Sequence, residues 1–419
     1  MAAGRERIGV VSAAALVVAN MIGVGVFTTS GFSLGSLGSP SAVLWAWVVG
    51  GVLALLGVVN YIALVRALPG SGGEYHYLAR GLPPFAGFLA GWVSLLAGFT
   101  APIAAAAAGL QAYWAPWLEG AASAAWLGTA AIVLAGLMHG VRVRGGAGLQ
   151  SALVIVKLGC LAAFVGYGAS SLSAQPAVAS EWRLTTFAET LIWISLSYSG
   201  WNAAVYIADE VRDPERNVAR ALVLATVAVA VLYFGLNWVF VHAAPVDELA
   251  GAPDIAARAA FAIGGAELRD GVRLLVGLAL FTSISAMVMA GPRVYARMAE
   301  DGLFPRWFDS RDGVPVAAVA LQCAAAIVVL WLSGLRELLS YIGFTLSLST
   351  AACVAALMRL RSRQGPEVWV LGYPWLPALY VVATVAIGVF FAIESPELFG
   401  LGAATVAAGI PLYFVLRRR

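Results

Sequence analysis

The chain has a single lysine, Lys157, which lies in the middle of an apolar run. Moving an ammonium group to the centre of a bilayer costs about 2.5–3.5 kcal/mol on insertion scales. Ionisable side chains in membrane segments therefore usually serve a function, although a lysine that is merely tolerated is the alternative. We interpret Lys157 as a functional cation.

Two other apolar runs contain small residues that weaken a helix at its middle. The first includes Gly23 and Gly25, and the second includes Ser197, Ser199 and Gly200. Unwinding exposes N–H and C=O groups that lipid cannot satisfy, so such breaks must line a polar cavity. A free helix N-terminus suits a carboxylate and freed carbonyls suit an ammonium. The matched pair predicts a site for the main chain of a zwitterionic amino acid, with helix packing through glycine as the alternative for either break alone.

The composition indicates that these residues belong to a membrane protein. Hydrophobic residues make up 61% of the 419 residues and charged residues only 11%, against about 25% charged in an ordinary soluble domain. This excludes a soluble enzyme, a nucleic-acid binder and a disordered protein. The three cysteines and three histidines are scattered, so we expect neither a metal site nor a cofactor.

The hydropathy pattern predicts an all-α polytopic membrane protein with twelve transmembrane helices, since a helix needs about 20 apolar residues to cross a bilayer. The runs are continuous, which favours helices over the alternating strands of a barrel. Their approximate limits are 8–32, 41–66, 84–112, 121–140, 147–170, 185–208, 218–243, 271–298, 315–333, 337–360, 372–393 and 397–416.

The basic residues predict the orientation, because inner loops are enriched in arginine and lysine. With the N-terminus inside, 19 of the 25 basic residues fall in inner loops, five in outer loops, and Lys157 within the membrane. We therefore predict a multi-pass protein of the cytoplasmic (inner) membrane with both termini in the cytoplasm. The longest outer loop, 244–270, contains a segment from Asp254 to Phe261 that predicts a short helix over the outer face.

Four motifs resemble those of the amino acid–polyamine–organocation (APC) superfamily, in particular its bacterial L-type (LAT-like) amino acid permeases. They are residues 21–27 (MIGVGVF), 69–78 (PGSGGEYHYL), 197–217 and 291–305. The resemblance implies the LeuT fold, in which a 5+5 inverted repeat with broken helices 1 and 6 works by alternating access. The repeats would be residues 1–170 and 185–360, followed by two additional helices in residues 372–419.

The resemblance also implies roles for residues at the two breaks. The backbone of Ile22, Gly23, Val24 and Gly25 would hold the substrate carboxylate. The carbonyls of Leu196, Ser197 and Ser199 would face its ammonium, and Trp201 and Asn202 would line the half-helix that follows. Leu196 stands where related permeases often have an aromatic gate, so their occlusion step does not transfer to this chain. The implied substrate-binding residues are Ile22, Gly23, Val24 and Gly25, and then Leu196, Ser197, Tyr198, Ser199, Trp201 and Asn202.

Lys157 acquires a specific role from the same resemblance. Sodium-coupled members of the fold hold a cation between helices one, five and eight, and several APC members have a helix-five lysine there instead. Transport would then be sodium-independent, either as proton symport through a proton on Lys157 or as exchange with Lys157 permanently charged. The expected partners are the carbonyls of Ala19 and Ile22 and a hydroxyl from Ser283, with Thr282 and Ser285 as neighbouring choices.

Charged residues of the inner loops are expected to form a cytoplasmic gate that pairs in the outward state and separates in the inward state. Ordinary solvated loop charge is the alternative for each residue. Glu189, about one turn into the sixth span, is interpreted as an interfacial residue, with a role in attracting cations as the alternative. The gate set is Glu74, Arg80, Asp209, Glu210, Arg212, Asp213 and Arg216.

These residues predict a secondary transporter of amino acids rather than an enzyme, because no catalytic His/Asp/Glu cluster lies in any span. No acidic residue lies near the predicted pocket, which favours neutral L-amino acids over cationic amino acids or polyamines. A non-concentrative channel or receptor on the same fold is the alternative class. The expected partners are the amino acid, the lipid bilayer and, in the symport version, protons, with no nucleic acid.

The cysteines bear on a partner subunit. Eukaryotic L-type relatives pair with a single-span glycoprotein through a cysteine in an outer loop. Cys160, Cys323 and Cys353 all lie in predicted spans, so no covalent partner subunit is expected.

Overall fold

The computed structural model describes residues 8–118, 121–140, 147–172, 181–300, 302–305, 308 and 316–417, and its regular elements are helices. A π-helical segment, Ser94–Thr100, joins α5 to α6, and a 3-10 segment, Ala203–Glu210, follows α9. The helices are α1 (Val10–Met21), α2 (Val24–Leu37), α3 (Pro40–Ala67), α4 (Gly73–Gly81), α5 (Pro84–Val93), α6 (Ala101–Trp114), α7 (Ala121–Gly140), α8 (Ala147–Ser171), α9 (Leu184–Tyr198), α10 (Pro214–His242), α11 (Val246–Leu249), α12 (Ile255–Glu300), α13 (Val316–Leu332), α14 (Leu335–Gln364), α15 (Trp375–Glu394) and α16 (Pro396–Arg417).

The helices are those of a polytopic membrane protein. Within the described residues, seven are long and apolar enough to cross a membrane, or eight if the bent pair α1–α2 is one span. Three shorter apolar helices, Ala125–Gly140, Ile155–Ser171 and Val316–Leu332, accompany them. The count of twelve spans and the inverted repeat remain predictions.

The first helix is interrupted where the sequence predicts a break. α1 ends at Met21 and α2 begins at Val24, with a bend of 41° between them. Ile22 and Gly23 between the two helices have non-helical backbone angles. The break therefore leaves a helix C-terminus and a helix N-terminus at the same depth.

The sixth predicted span is also interrupted. α9 ends at Tyr198, and the 3-10 segment begins four residues after Ser199, at Ala203. Gly200 has a φ of +95°, which favours glycine, and a Cβ added there would lie 2.7 Å from the carbonyl oxygen of Asn20. The two breaks are thus in contact, and a side chain at residue 200 would separate them.

The third predicted span contains a π-helical segment that the sequence did not reveal. The Thr100 hydroxyl donates to the carbonyl of Leu95, five residues earlier, over 2.7 Å. Single π turns inside α-helices are often found at functional sites. Here the segment brings Ser94, Gly98 and Phe99 to the wall of the central cavity.

The molecule has two faces that differ in their charged residues. We call one the arginine-rich face, which carries Arg66, Arg80, Arg212, Arg216, Arg220, Arg359, Arg361 and Arg363, and the other the opposite face, which carries Arg183, Arg258, Arg269, Arg273 and Arg336. The short helix predicted over the opposite face is confirmed as the first part of α12. It is separated from the rest by non-helical backbone at Gly264 and Gly265.

Candidate functional site

A cavity of about 980 Å³ runs from the two helix breaks to the arginine-rich face. Gly23 and Ser197 line its inner end, and Gly70, Arg80 and Asp209 lie at its mouth. Its lining from α2 stops at Gly25, next to the break. The cavity is therefore open toward the arginine-rich face and closed toward the opposite face.

The N-terminus of α2 presents free donors to this cavity. The N–H groups of Val24, Gly25 and Val26 have no acceptor among the described residues, and Gly23 provides no side-chain cap. Gly23, Val24 and Gly25 line the cavity, as predicted for contacts with a carboxylate. A helix N-terminus attracts an anion through these donors and the helix dipole.

Ile22 does not fit the predicted carboxylate contact. Its side chain is fully buried and the residue is not part of the cavity lining. Its N–H donates to the carbonyl of Val18 over 3.1 Å, which continues the last turn of α1. The sequence motif marks the break correctly, but Ile22 caps the end of α1 and does not line the cavity.

The end of α9 presents free carbonyls to the same cavity. Those of Tyr198 and Ser199 accept no hydrogen bond from the described residues. The predicted carbonyls of Leu196 and Ser197 are instead occupied, by the Ser199 N–H at 2.9 Å and by the Tyr233 hydroxyl at 3.1 Å. The carbonyl-rich side of the site is therefore present, but only Ser199 of the predicted three is free.

Tyr233 on α10 joins the two breaks, and sequence reasoning missed it. Its hydroxyl lies 2.6 Å from the Met21 carbonyl and 3.1 Å from the Ser197 carbonyl, so one donor faces carbonyls of both breaks. Asn237, one turn later, donates its amide to the Tyr233 carbonyl over 2.7 Å. The signal available in the sequence was this pair of polar residues, Tyr233 and Asn237, spaced one helical turn apart in an apolar span.

Lys157 makes one of its predicted contacts. Its side chain is 9% exposed, and its ammonium donates to the Ile22 carbonyl over 3.2 Å. Because that carbonyl ends α1, the positive charge also stabilises the negative end of the helix dipole. Among the described residues, Lys157 makes no hydrogen bond to the predicted Ala19 carbonyl in this conformation.

Of the three hydroxyls predicted on α12, only Ser283 faces the site. It lines the cavity, and a Cβ added to Gly23 would lie 3.7 Å from its hydroxyl. Thr282 donates to the Ala279 carbonyl of its own helix, and Ser285 hydrogen-bonds His139 on α7 over 2.8 Å. In this conformation the Thr282 and Ser285 hydroxyls therefore have other partners, and Ser283 stays the proposed one.

The remaining predicted substrate residues lie along the cavity. Leu196, Tyr198, Trp201 and Asn202 all belong to its lining. The Tyr198 hydroxyl donates to the Trp47 carbonyl over 3.3 Å, so this side chain supports the wall. Leu196 is 9% exposed and is the side chain at the predicted gate position.

Glu74, a predicted gate residue, is held in this conformation by hydrogen bonds from neutral groups. The residue is 5% exposed and makes no ion pair with a described residue. Its carboxylate instead accepts from the Tyr61 hydroxyl over 2.9 Å, from the Asn202 amide and from the Tyr206 hydroxyl. Glu74 thus joins α4 to α3 and to the 3-10 segment through neutral donors.

The other predicted gate residues form no ion pairs with one another within the described residues. The Asp209 carboxylate accepts from the Ser71 N–H, and the Asp209 N–H donates to the Ser71 hydroxyl, both over 3.0 Å. The Glu210 carbonyl accepts from the Ile8 N–H over 2.9 Å, while its side chain is exposed. Four further residues of the set form no ion pair within the described residues: Arg80, Arg212, Asp213 and Arg216.

The opposite face is sealed by packing and by an ion pair. A Cβ on Gly25 would overlap Ser197, and one on Gly31 would overlap the carbonyl of Ala252. Glu189, which is 4% exposed, pairs with Arg336 at 3.2 Å. Glu189 is therefore a paired residue of the seal, and neither a free vestibule charge nor a simple interfacial residue.

The sequence matches a known family over almost its whole length, with a profile of amino acid permeases covering residues 8–414. The serine/threonine exchanger SteT of Bacillus subtilis (strain 168) is 26% identical over 436 residues, covering 99% of this chain and 98% of that one. The Asc-type amino acid transporter 1 of Mus musculus is 25% identical over 430 residues, covering 98% and 81%.

A third similar protein is the large neutral amino acids transporter small subunit 2 of Homo sapiens, which is 25% identical over 434 residues, covering 98% of this chain and 80% of that one. The matches extend through both helix breaks, Lys157 and the cavity wall. The chain belongs to the amino acid permease family, and it is a membrane transporter of amino acids, not an enzyme.

Proposed function

We propose that the cavity binds a neutral L-amino acid where the two breaks meet and carries it by sodium-independent exchange. The observation that carries the proposal is the juxtaposition of the free N–H groups of α2 with the free carbonyls at the end of α9. One end suits the substrate carboxylate and the other its ammonium. The side chain of the substrate would extend toward Ser94, Gly98 and Ser283.

A neutral substrate is favoured by the position of charge along the cavity. Its acidic, basic and histidine lining residues are Glu74, His76, Arg80 and Asp209, which belong to the mouth or to the segments next to it. Glu74 already accepts three hydrogen bonds, so it offers little to a cationic side chain. A buried cationic group would require a nearby counter-charge. The names of two of the relatives point the same way, to serine and threonine for SteT and to large neutral amino acids for the human protein.

Exchange is favoured over proton symport by the surroundings of Lys157. Its ammonium is held against the carbonyl that ends α1, where a permanent positive charge is useful. In this proposal the ammonium stands in for a coupling cation and needs no sodium. SteT, which aligns with 99% of this chain, is itself named an exchanger.

The proposal includes the architecture that the resemblance implies. The chain would have twelve spans in the LeuT arrangement, with repeats at 1–170 and 185–360 and two further helices in 372–419. The arginine-rich face would be cytoplasmic, with both termini on that side of the cytoplasmic membrane. The cavity is then inward-open. We also propose a transporter without a covalent partner subunit, since Cys323 and Cys353 are buried in helices and Cys160 lies on α8.

Transport in proteoliposomes tests this proposal. Vesicles preloaded with serine should take up labelled serine several-fold faster than empty vesicles, equally in sodium and in choline buffer. Lys157→Met should reduce exchange at least tenfold, whereas Cys160→Ala, three residues away on the exposed side of α8, should leave it unchanged. A requirement for a sodium gradient, or accumulation driven by a pH gradient into empty vesicles, would refute exchange with a fixed lysine charge.

A further inference from the structure

The arginines of the two faces differ in whether a carboxylate neutralises them. Each of the five on the opposite face is in an ion pair: Arg183–Glu394, Arg258–Asp254, Arg269–Asp270, Arg273–Asp254, Arg273–Asp270 and Arg336–Glu189. None of the eight that define the arginine-rich face forms an ion pair in the described part of the chain. The positive charge of that face is therefore available to an external anion.

Four of these unpaired arginines lie where α3 and α14 end. The Arg66 guanidinium lies 4.8 Å from the centre of the Trp369 ring, and the Arg361 guanidinium lies 5.5 Å from that of Tyr373. Arg361 also donates to the Gly365 carbonyl over 2.6 Å. We call Arg66, Arg359, Arg361, Arg363 and Trp369 the arginine–tryptophan patch.

The patch is strongly positive. The loop that connects α14 to α15 contains one carboxylate, Glu367, which is exposed and forms no ion pair with a described residue. Arg359 and Arg363 are exposed near the end of α14. Stacking on aromatic rings orients a guanidinium while leaving its N–H edge free, and that edge matches two phosphate oxygens.

An apolar surface begins beside the patch. Trp369 is 50% exposed and Trp375 is 78% exposed. Leu379 and Val382 continue this exposed surface along α15, at 53% and 64%. Tryptophan is enriched at the level of lipid headgroups, with aliphatic residues deeper in the bilayer. A phosphate held by the patch would therefore have acyl chains next to α15, which a free anion in water would not have.

We propose that the arginine–tryptophan patch binds the headgroup of an anionic phospholipid. The charge without carboxylate partners, the stacked guanidinium groups and the adjoining apolar surface all fit this ligand. The site lies apart from the amino acid cavity, so the proposal does not depend on the substrate. Removing one arginine near a membrane surface should weaken binding of an anionic lipid about fivefold.

The test uses the purified full-length protein in a neutral detergent. Phosphatidylglycerol should raise the melting temperature and phosphatidylcholine should not. In Arg66→Gln/Arg361→Gln the phosphatidylglycerol concentration for half of this effect should rise about 25-fold. Arg359→Gln/Arg363→Gln should raise this concentration by a similar factor. Because these two arginines are exposed and do not stack on Trp369 or Tyr373, this variant separates lost lipid binding from a folding defect caused by lost stacking. Arg258→Gln/Arg269→Gln, on the opposite face, is the matched control and should behave as the wild type.

Three outcomes would overturn the proposal. One is an unchanged phosphatidylglycerol response in both patch variants. Another is equal stabilisation by phosphatidylcholine. The third is equal stabilisation by inorganic phosphate or glycerol phosphate, which would show an anion site without lipid selectivity. None of these measurements involves amino acid transport, so they are independent of the proposed exchange.

Discussion

The opposite face and the arginine-rich face are built on different principles. At the opposite face, glycines let helices touch, and each arginine is paired with a carboxylate. At the arginine-rich face the central cavity reaches the surface, and contacts there are hydrogen bonds to Glu74 and Asp209. One face is thus held by packing and compensated charge, the other by a few polar contacts. In a transporter of this kind, the sealed face must open when the open face closes.

A substitution that prevents closure at the opposite face should reduce the exchange rate more than any other substitution considered below. In Gly31→Leu the side chain would meet the Ala252 backbone, which α2 touches through the Gly251 N–H to the Gly31 carbonyl at 2.7 Å. Overpacking of this kind costs about 1–3 kcal/mol, so exchange should fall at least tenfold. The matched control is Gly166→Leu on α8, where nothing lies within 4 Å of an added Cβ. Normal exchange by Gly31→Leu would show that close packing at this face is dispensable.

The second prediction concerns the mouth of the cavity. Glu74→Gln removes a charged acceptor from three donors, and hydrogen bonds to charged groups contribute about 1.5–3 kcal/mol each. We expect a clear drop in melting temperature and faster proteolysis at residues 69–73. Asp209→Asn is the control, because that exposed carboxylate accepts only the Ser71 N–H among described donors and should matter less. Equal effects of the two substitutions would contradict a special role for buried Glu74.

A smaller effect is expected from the ion pair of the seal. Glu189→Gln leaves Arg336 without its carboxylate, although Arg336 is 49% exposed and water screens its charge. The loss of stability should be about 1 kcal/mol. A cysteine introduced at Ser36, which accepts from Arg336 at 3.4 Å, should react faster with a water-soluble maleimide in this variant. Glu394→Gln breaks the more exposed pair with Arg183 and should leave the labelling rate unchanged.

The smallest predicted effect is a pH dependence at the mouth. Burial of the His76 ring, and secondarily the charge of Arg80, lowers the pKa of His76 below 6.5. The lowered pKa means that the folded chain binds this proton more weakly than the unfolded chain does. The stability that the neutral His76 ring contributes is therefore complete above pH 6.5 and is lost as the pH falls through the folded pKa. The melting temperature should therefore fall less between pH 7.5 and pH 5.5 in His76→Gln than in the wild type. An identical pH profile would contradict this assignment.

The sequence was sufficient for features that depend on local chemistry. Glycines and serines in mid-span predicted both breaks, and the isolated lysine predicted a functional cation. The family resemblance added its contact with helix one, which the structure has at Ile22. These signals are strong because lipid leaves few alternatives for a polar group.

The sequence did not reveal which side of a helix faces the site, so features that depend on this could not be predicted. Thr282, Ser283 and Ser285 are neighbours in sequence, and the structure alone shows that Ser283 faces the break. The hydrogen-bond partners of Glu74 could not be predicted either, because the sequence does not show that tyrosines and an asparagine from distant segments surround its carboxylate. The π-helical turn at Ser94–Thr100 and the bridging hydroxyl of Tyr233 likewise arise from three-dimensional packing.

The central claim is that the two breaks bind the two charged groups of one amino acid. Isothermal calorimetry with serine, ethanolamine and lactate tests it most directly, because the two analogues each lack one of these charged groups. Two charge-assisted contacts contribute about 1.5–3 kcal/mol each, so either analogue should bind at least tenfold more weakly than serine. Serine binding should also be lost in Gly25→Val, whose side chain would overlap Ser197 at the N-terminus of α2. Equal affinity for serine and either analogue would contradict the account.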